Sequence, residues 1–176
     1  IIWTGSKFLA LGKCITNTIS YSLDGITWTG LGNSIFNIGN RLVNNENFVV
    51  GVGNSNPITV ATGEKYSGQN CIMYTTDGIT WNPINQTLNT FQYYNVGYGR
   101  TTYGDMWIAG GFGAGGSILS YSFDGSNWTN VSSPPFGQYG LAAAYGNGIW
   151  VAGGGQGPGS STLAYSTNGT QWTGLG

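Results

Sequence analysis

Three carboxylates recur in one local setting. Asp24, Asp77 and Asp124 each stand two places after a hydroxyl residue and directly before a glycine, in "YSLDGITW" (21 to 28), "YTTDGITW" (74 to 81) and "YSFDGSNW" (121 to 128). A carboxylate beside a hydroxyl could act as a general base, and paired carboxylates roughly 5 to 9.5 Å apart can cleave a glycosidic bond. The fourth copy, "YSTNGTQW" (165 to 172), carries Asn168 instead. An amide can build a comparable turn and hydrogen bond but cannot take a proton. Turn formation explains both residue types, so these positions read as structural and no catalytic residue is nominated. The other acids are Glu46, Glu64 and Asp105, among which no carboxylate pair can be named; Glu46 and Asp105 read as repeat-equivalent turn residues. The chain has no His, which excludes an imidazole base, a His-containing zinc site and a Ser-His-Asp triad. No metal or cofactor is expected.

Aromatic rings are the stronger candidates for contact chemistry. The segments "GLGNSIFNIGN" (30 to 40), "NPINQTLNTFQYYNVG" (82 to 97) and "SSPPFGQYG" (132 to 140) carry Phe36, Phe91, Tyr93, Tyr94, Phe136 and Tyr139. Rings set among Asn, Gln and glycine backbone suit sugars, whose CH faces stack while their hydroxyls hydrogen-bond, and equally suit a protein partner. Packing between neighbouring sheets is the alternative use. Arg41 and Arg100 each stand seven residues ahead of an aromatic, Phe48 and Trp107, which places them at one position of successive repeats as a candidate anion site. Hydrogen bonding to carbonyls is the structural alternative.

The elements that would position these residues follow from the repeat. The motif tryptophans Trp28, Trp81, Trp128 and Trp172 are separated by 53, 47 and 44 residues. Upstream of each lies a second shared run, "KFLALG" (7 to 12), "NFVVGVG" (47 to 53), "MWIAGG" (106 to 111) and "IWVAGG" (149 to 154), in which Phe8, Phe48, Trp107 and Trp150 align. Each repeat reads as four short strands, a to d. Polar a–b turns lie at 4 to 7, 44 to 47, 103 to 106 and 146 to 149, and Asp-Gly or Asn-Gly forms the c–d turn as type I′, with positive φ at both central residues. Burying a tryptophan removes about 150 to 250 Å² from water, so the four motif indoles are expected in the core. The expected fold is all-β: a β-propeller of four-stranded antiparallel blades at about 1 to 32, 33 to 84, 85 to 131 and 132 to 176, either a closed four-blade ring or part of a larger one.

Ser-x-Asp-Gly-x-x-Trp at a c–d turn resembles the Asp-box, or BNR repeat, of sialidases, sortilin-type receptors and other propellers, although the usual Asp-box has one more residue between Asp and Gly. The short, Asn/Thr-rich form is also similar to propeller repeats of large DNA viruses, phages and bacterial surface proteins. The resemblance covers all four repeats. It implies the propeller fold and a structural Asp; the three arginines that a sialidase needs are not matched, since Ile1 and Ala143 stand where Arg41 and Arg100 would have counterparts.

Composition narrows the partners. Only 6% of residues are charged and the net charge is −1, so phosphate-driven nucleic-acid binding is not expected, and near-neutrality favours assembly into an oligomer or larger particle. No apolar run reaches the roughly 18 to 20 residues that a helical span needs, so membrane insertion is not expected. The b–c loops at 110 to 117 and 153 to 160 are glycine-rich without a phosphate-binding pattern, and the long segment at 53 to 70, with Glu64 and Lys65, is a candidate for specificity. Cys14 and Cys71 differ in repeat position, leaving a bridge or two thiols open. Sequons stand at Asn85, Asn127, Asn130 and Asn168. A start on Ile1 and an end in phase with the repeat suggest a longer native chain. The expected function is a non-enzymatic structural or recognition module of a virion or cell exterior that binds glycan or protein. The alternative is a segment of an Asp-box glycoside hydrolase whose catalytic residues lie outside this chain.

Overall fold

The computed structural model describes residues 1–34, 36, 38–45, 49–54, 70–84, 88, 90–113, 118–155 and 160–176. Every regular element among them is a strand. The chain divides into two compact halves, Ile1–Pro83 and Ile84–Gly176.

The N-terminal half holds two four-stranded antiparallel meanders. The first is β1 (Ile2–Trp3), β2 (Phe8–Leu11), β3 (Ile19–Ser22) and β4 (Thr29–Gly30); the second is β5 (Ile38–Asn44), β6 (Val49–Asn54), β7 (Asn70–Thr75) and β8 (Asn82–Pro83). In the C-terminal half the third meander is β9 (Thr90–Thr101), β10 (Gly104–Gly113), β11 (Leu119–Ser122) and β12 (Thr129–Asn130). The fourth is β13 (Tyr139–Gly146), β14 (Ile149–Gly155), β15 (Leu163–Ser166) and β16 (Thr173–Gly174). Successive meanders touch at the start of the later one. Lys13 bridges to Ile38 in the first half, and Phe112 pairs with Tyr139 in the second, which joins β9 to β16 into one eight-stranded sheet.

Strand alternation gives each meander two faces. In the first, Leu9 and its cross-strand neighbours Ile2 and Tyr21 lie on one face, and Trp3, Phe8 and Ser22 lie on the other. The Leu9 face packs with Leu42, Val49, Met73 and Trp81 of the second meander. The C-terminal half repeats this arrangement: Met106, Ile108 and Leu119 of the third meander pack with Ala143, Trp150, Ala152 and Ala164 of the fourth. The first face of one meander therefore meets the second face of the next. Glycine makes the approach close on β9: a side chain at Gly97 would meet the Ala143 carbonyl, and one at Gly99 would meet the Tyr145 ring.

Two expectations about register are corrected. Phe8, Trp107 and Trp150 pair with Ser22, Ser122 and Ser166, but it is Val49 that pairs with the equivalent Thr75. Val49, not Phe48, holds that place, and Phe48, with Glu46, lies outside the described residues. In consequence Arg41 and Arg100 are not repeat-equivalent. Arg41 pairs with Val52 beside a bulge, whereas Arg100 pairs with Asp105 because the third a–b hairpin runs two residues past the Tyr98–Trp107 pair.

The c–d turns are not type I′ either. Gly25, Gly78, Gly125 and Gly169 have φ between 72° and 78°, but Asn147 alone among non-glycine residues has positive φ. The two-residue turn with both central φ positive is the fourth a–b hairpin, Asn147 (50°) and Gly148 (80°), flanked by the Gly146–Ile149 pair.

Candidate functional site

The repeated motif folds into a self-contained hydrogen-bond nest. In the first copy the Ser22 hydroxyl donates to Asp24 Oδ1 (3.0 Å) and accepts from the Gly25 amide (2.9 Å), while Oδ1 also accepts from the amides of Ile26 (2.8 Å) and Thr27 (2.7 Å). Thr75 and Asp77 reproduce this with Gly78, Ile79 and Thr80, and Ser122 and Asp124 with Gly125, Ser126 and Asn127. Asn168 Oδ1 takes the same bonds from Ser166, Thr170 and Gln171 at 2.9–3.1 Å. The oxygen that a general base would use is occupied by two amides and a hydroxyl. All four hydroxyl partners, Ser22, Thr75, Ser122 and Ser166, are buried.

The bonds act on the charge. Amides of Thr27 and Ile26 and the Ser22 hydroxyl hold Asp24 at about 2. Burial pushes Asp124 up, but Asn127 and the Ser126 amide outweigh it and leave the group at about 2. The Ile79 and Thr80 amides hold Asp77 well below the carboxylate range. In an unfolded chain Asp titrates near 3.9, so these folded-state values are depressed and the unfolded chain binds more protons between the two values. Their contribution is full above about pH 4 and is lost as the pH falls towards 2. Denaturation midpoints measured from pH 5 to 2 are expected to fall in that window, and more shallowly when Asp24 and Asp124 are replaced by Asn. Equal slopes for the two proteins would contradict the nest.

The four motif tryptophans differ in burial. Trp81 and Trp128 are buried and Trp172 is partly covered, but Trp28 is exposed, which corrects the expectation that all four lie in the core. The indole N–H of Trp28, Trp128 and Trp172 donates to the carbonyl of Gly25, Gly125 and Gly169 in turn, at 3.3, 3.0 and 3.0 Å. The local geometry is shared; the cover over it is not.

Of the contact residues expected from sequence, Phe36, Tyr93 and Phe136 are buried and offer a ligand no surface. Phe36 belongs to the core between the first two meanders and Phe136 to that between the last two, while the Tyr93 hydroxyl is tied to Ser120 at 2.9 Å. Arg100 projects from the a–b hairpin with its Nε 3.2 Å from Asp105 Oδ1, which also accepts from the Tyr98 hydroxyl. Its charge is therefore spent on a surface ion pair, not on an axial anion site. Arg41 is exposed. The side chain of Phe91 lies outside the described residues, as do Asn85, Glu64, Lys65 and the loop tips 114–117 and 156–159. Cys14 is a free, exposed thiol.

Tyr94 and Tyr139 remain half-buried, and Tyr139 stacks on Phe112 with centroids 5.1 Å apart and planes at 26°. Burial, and then the nearby Tyr139, push the Tyr94 phenol up. Phe112 was missed in the sequence although it is the one aromatic in the glycine-rich run "GGFGAGGS".

No family model matches this chain, and no curated protein does. Among solved structures, a GH32 β-fructofuranosidase of Bombyx mori aligns with a TM-score of 0.42 at 14% identity, over 99% of this chain and 43% of that one. This chain thus spans under half the length of that enzyme.

Proposed function

We propose that the four meanders are blades of a β-propeller of Asp-box type, and that the chain is a non-enzymatic recognition module that binds carbohydrate through Tyr94, Phe112 and Tyr139. The stacked, half-buried Phe112–Tyr139 pair carries this reading. Offset rings with one face open supply the apolar platform on which a sugar CH face sits, while neighbouring amides and hydroxyls take its OH groups. A chain with 6% charged residues meets such a ligand without a competing charge pattern. The motif acids, closed into their own turns, serve the scaffold. A virion or cell exterior is the setting in which such a module meets free glycans, and surface biotinylation of intact particles or cells checks the location.

The test is a glycan-array screen of the wild type beside Tyr139→Ala and Phe112→Ala. Losing one ring of the platform is expected to weaken binding by roughly tenfold or more, the scale of an aromatic contact of about 0.5–1.5 kcal/mol plus its buried area. Unchanged glycan binding in both variants, or capture of a protein alone, would remove this patch as the carbohydrate site.

A further inference from the structure

One position is fully buried in three meanders and open in the fourth. Leu9, Val50 and Ile108 stand across from Tyr21, Tyr74 and Tyr121, and all three are 0% exposed; Val151, across from Tyr165, is 46% exposed. Two residues before each tyrosine, Ile19, Ile72 and Leu119 are likewise buried, yet Leu163 is 50% exposed. With Ile149 and Tyr165 these form an uncovered apolar sheet face free of charge. The first meander is open on its opposite face. Its motif indole, Trp28, is 37% exposed where Trp81 and Trp128 are buried, and Trp3 is 48% exposed.

What covers each face is displayed inside the chain. The third meander's Met106 and Ile108 are covered by the second face of the fourth, which presents the cross-strand pair Tyr145–Trp150 (centroids 5.2 Å apart), Trp172 and the Gly169 turn, whose glycine abuts Met106. In the N-terminal half the Gly78 turn sits against Leu9 and Lys7 in the same way. The open face of the first meander carries the same set: the cross-strand pair Trp3–Phe8 (4.6 Å), Trp28 and the Gly25 turn. Beyond its own Phe8 ring, nothing approaches Gly25.

We propose that the Val151 face of one copy of this chain takes up the Trp3–Trp28 face of a second copy, head to tail. Both faces are open on a single chain, so the cover comes from another chain. The two faces differ, which makes the interface heterologous; repeated, it closes into a ring or extends into a filament. Each open face is the counterpart of one that already finds its partner within the chain, and neither brings a charge to be desolvated.

Sedimentation velocity over a range of concentrations tests this. The wild type is expected to associate, and Val151→Asp and Trp3→Asp, each a surface change on an intact meander, are each expected to weaken association by roughly a hundredfold, the scale of an unpaired charge in an interface core. Mixed one to one, the two variants are expected to pair through their intact faces and stop at two chains. Far-UV circular dichroism checks that each is folded, and Val151→Thr and Trp3→Ser replace any that is not. A wild type that stays a single chain up to about 100 μM, where contacts of standard interface size associate, would overturn the proposal. So would a mixture that does not pair, or a single-chain protein whose melting temperature falls with Val151→Asp, the mark of closure within one chain.

Discussion

Trp150→Ala is expected to lower stability by about 3–5 kcal/mol, the range for truncating a buried large aromatic. In a chain of 176 residues about 1 kcal/mol shifts the melting temperature by roughly 2–4 °C, so a loss on the order of 10 °C is expected. The reason is position. Trp150 is fully buried, stands across from Tyr145 and Ser166, and sits against Met106, Ile108 and Leu119 of the preceding meander. Ala already occupies 143, 152 and 164 on the same face, so little side-chain volume remains to close over the cavity. Phe8 holds the equivalent place in the first meander but is only half-buried, and Phe8→Ala is expected to cost about 1–2 kcal/mol, in proportion to the smaller area it removes from water. Equal losses for the two variants in urea titrations would show that the face of the fourth meander is not a packing surface.

The second large effect concerns glycines of identical local conformation. Gly169 and Gly25 have φ of 75° and 78°, so Ala at either pays about 1–2 kcal/mol for the left-handed backbone. A methyl group at 169 would also run into the sulfur and terminal methyl of Met106, adding roughly 1–3 kcal/mol of overpacking. At 25 it would meet only the edge of Phe8 at 3.4 Å, an ordinary contact. Gly169→Ala is therefore expected to lose about twice as much stability as Gly25→Ala. A Gly169→Ala, Met106→Ala double variant should recover part of the clash, because shortening Met106 empties the space that the methyl needs. Indistinguishable single variants would mean that the turn does not wedge against the neighbouring strand.

What could be read from the residues was whatever is local and periodic. A hydroxyl, an Asp or Asn, a Gly and a Trp at fixed offsets specify the nest with no help from the rest of the chain, and the shared apolar run upstream specifies the strand beside it. Register was less legible. In "NFVVGVG" three apolar residues stand in a row, so aligning Phe48 with the other aromatics looks as good as aligning Val49, and one residue of slip exchanges the two faces. The Arg41 and Arg100 equivalence failed with that slip and with the two extra residues of the third hairpin.

Burial was hardest to foresee. Trp28 and Trp81 sit in the identical octet positions of "SLDGITW" and "TTDGITW", and their different exposure comes from what lies over them, which no local pattern encodes. Phe36, Tyr93 and Phe136 raise the same problem: an aromatic in a connecting segment is suited to a core or to a ligand. Three of the proposed contact rings went to the core, while Phe112, unremarked among glycines, joined the surface.

The central claim is that the recurring aromatics are wedges closed between consecutive sheets and left open only at the first meander. Hydroxyl-radical footprinting of the dilute, single chain, read by mass spectrometry at each tryptophan, tests it most directly. Trp3 and Trp28 are expected to oxidise rapidly, while Trp81, Trp107, Trp128 and Trp150 stay protected. Oxidation of Trp107 and Trp150 as fast as Trp3, or protection of Trp28 equal to that of Trp128, would contradict the account.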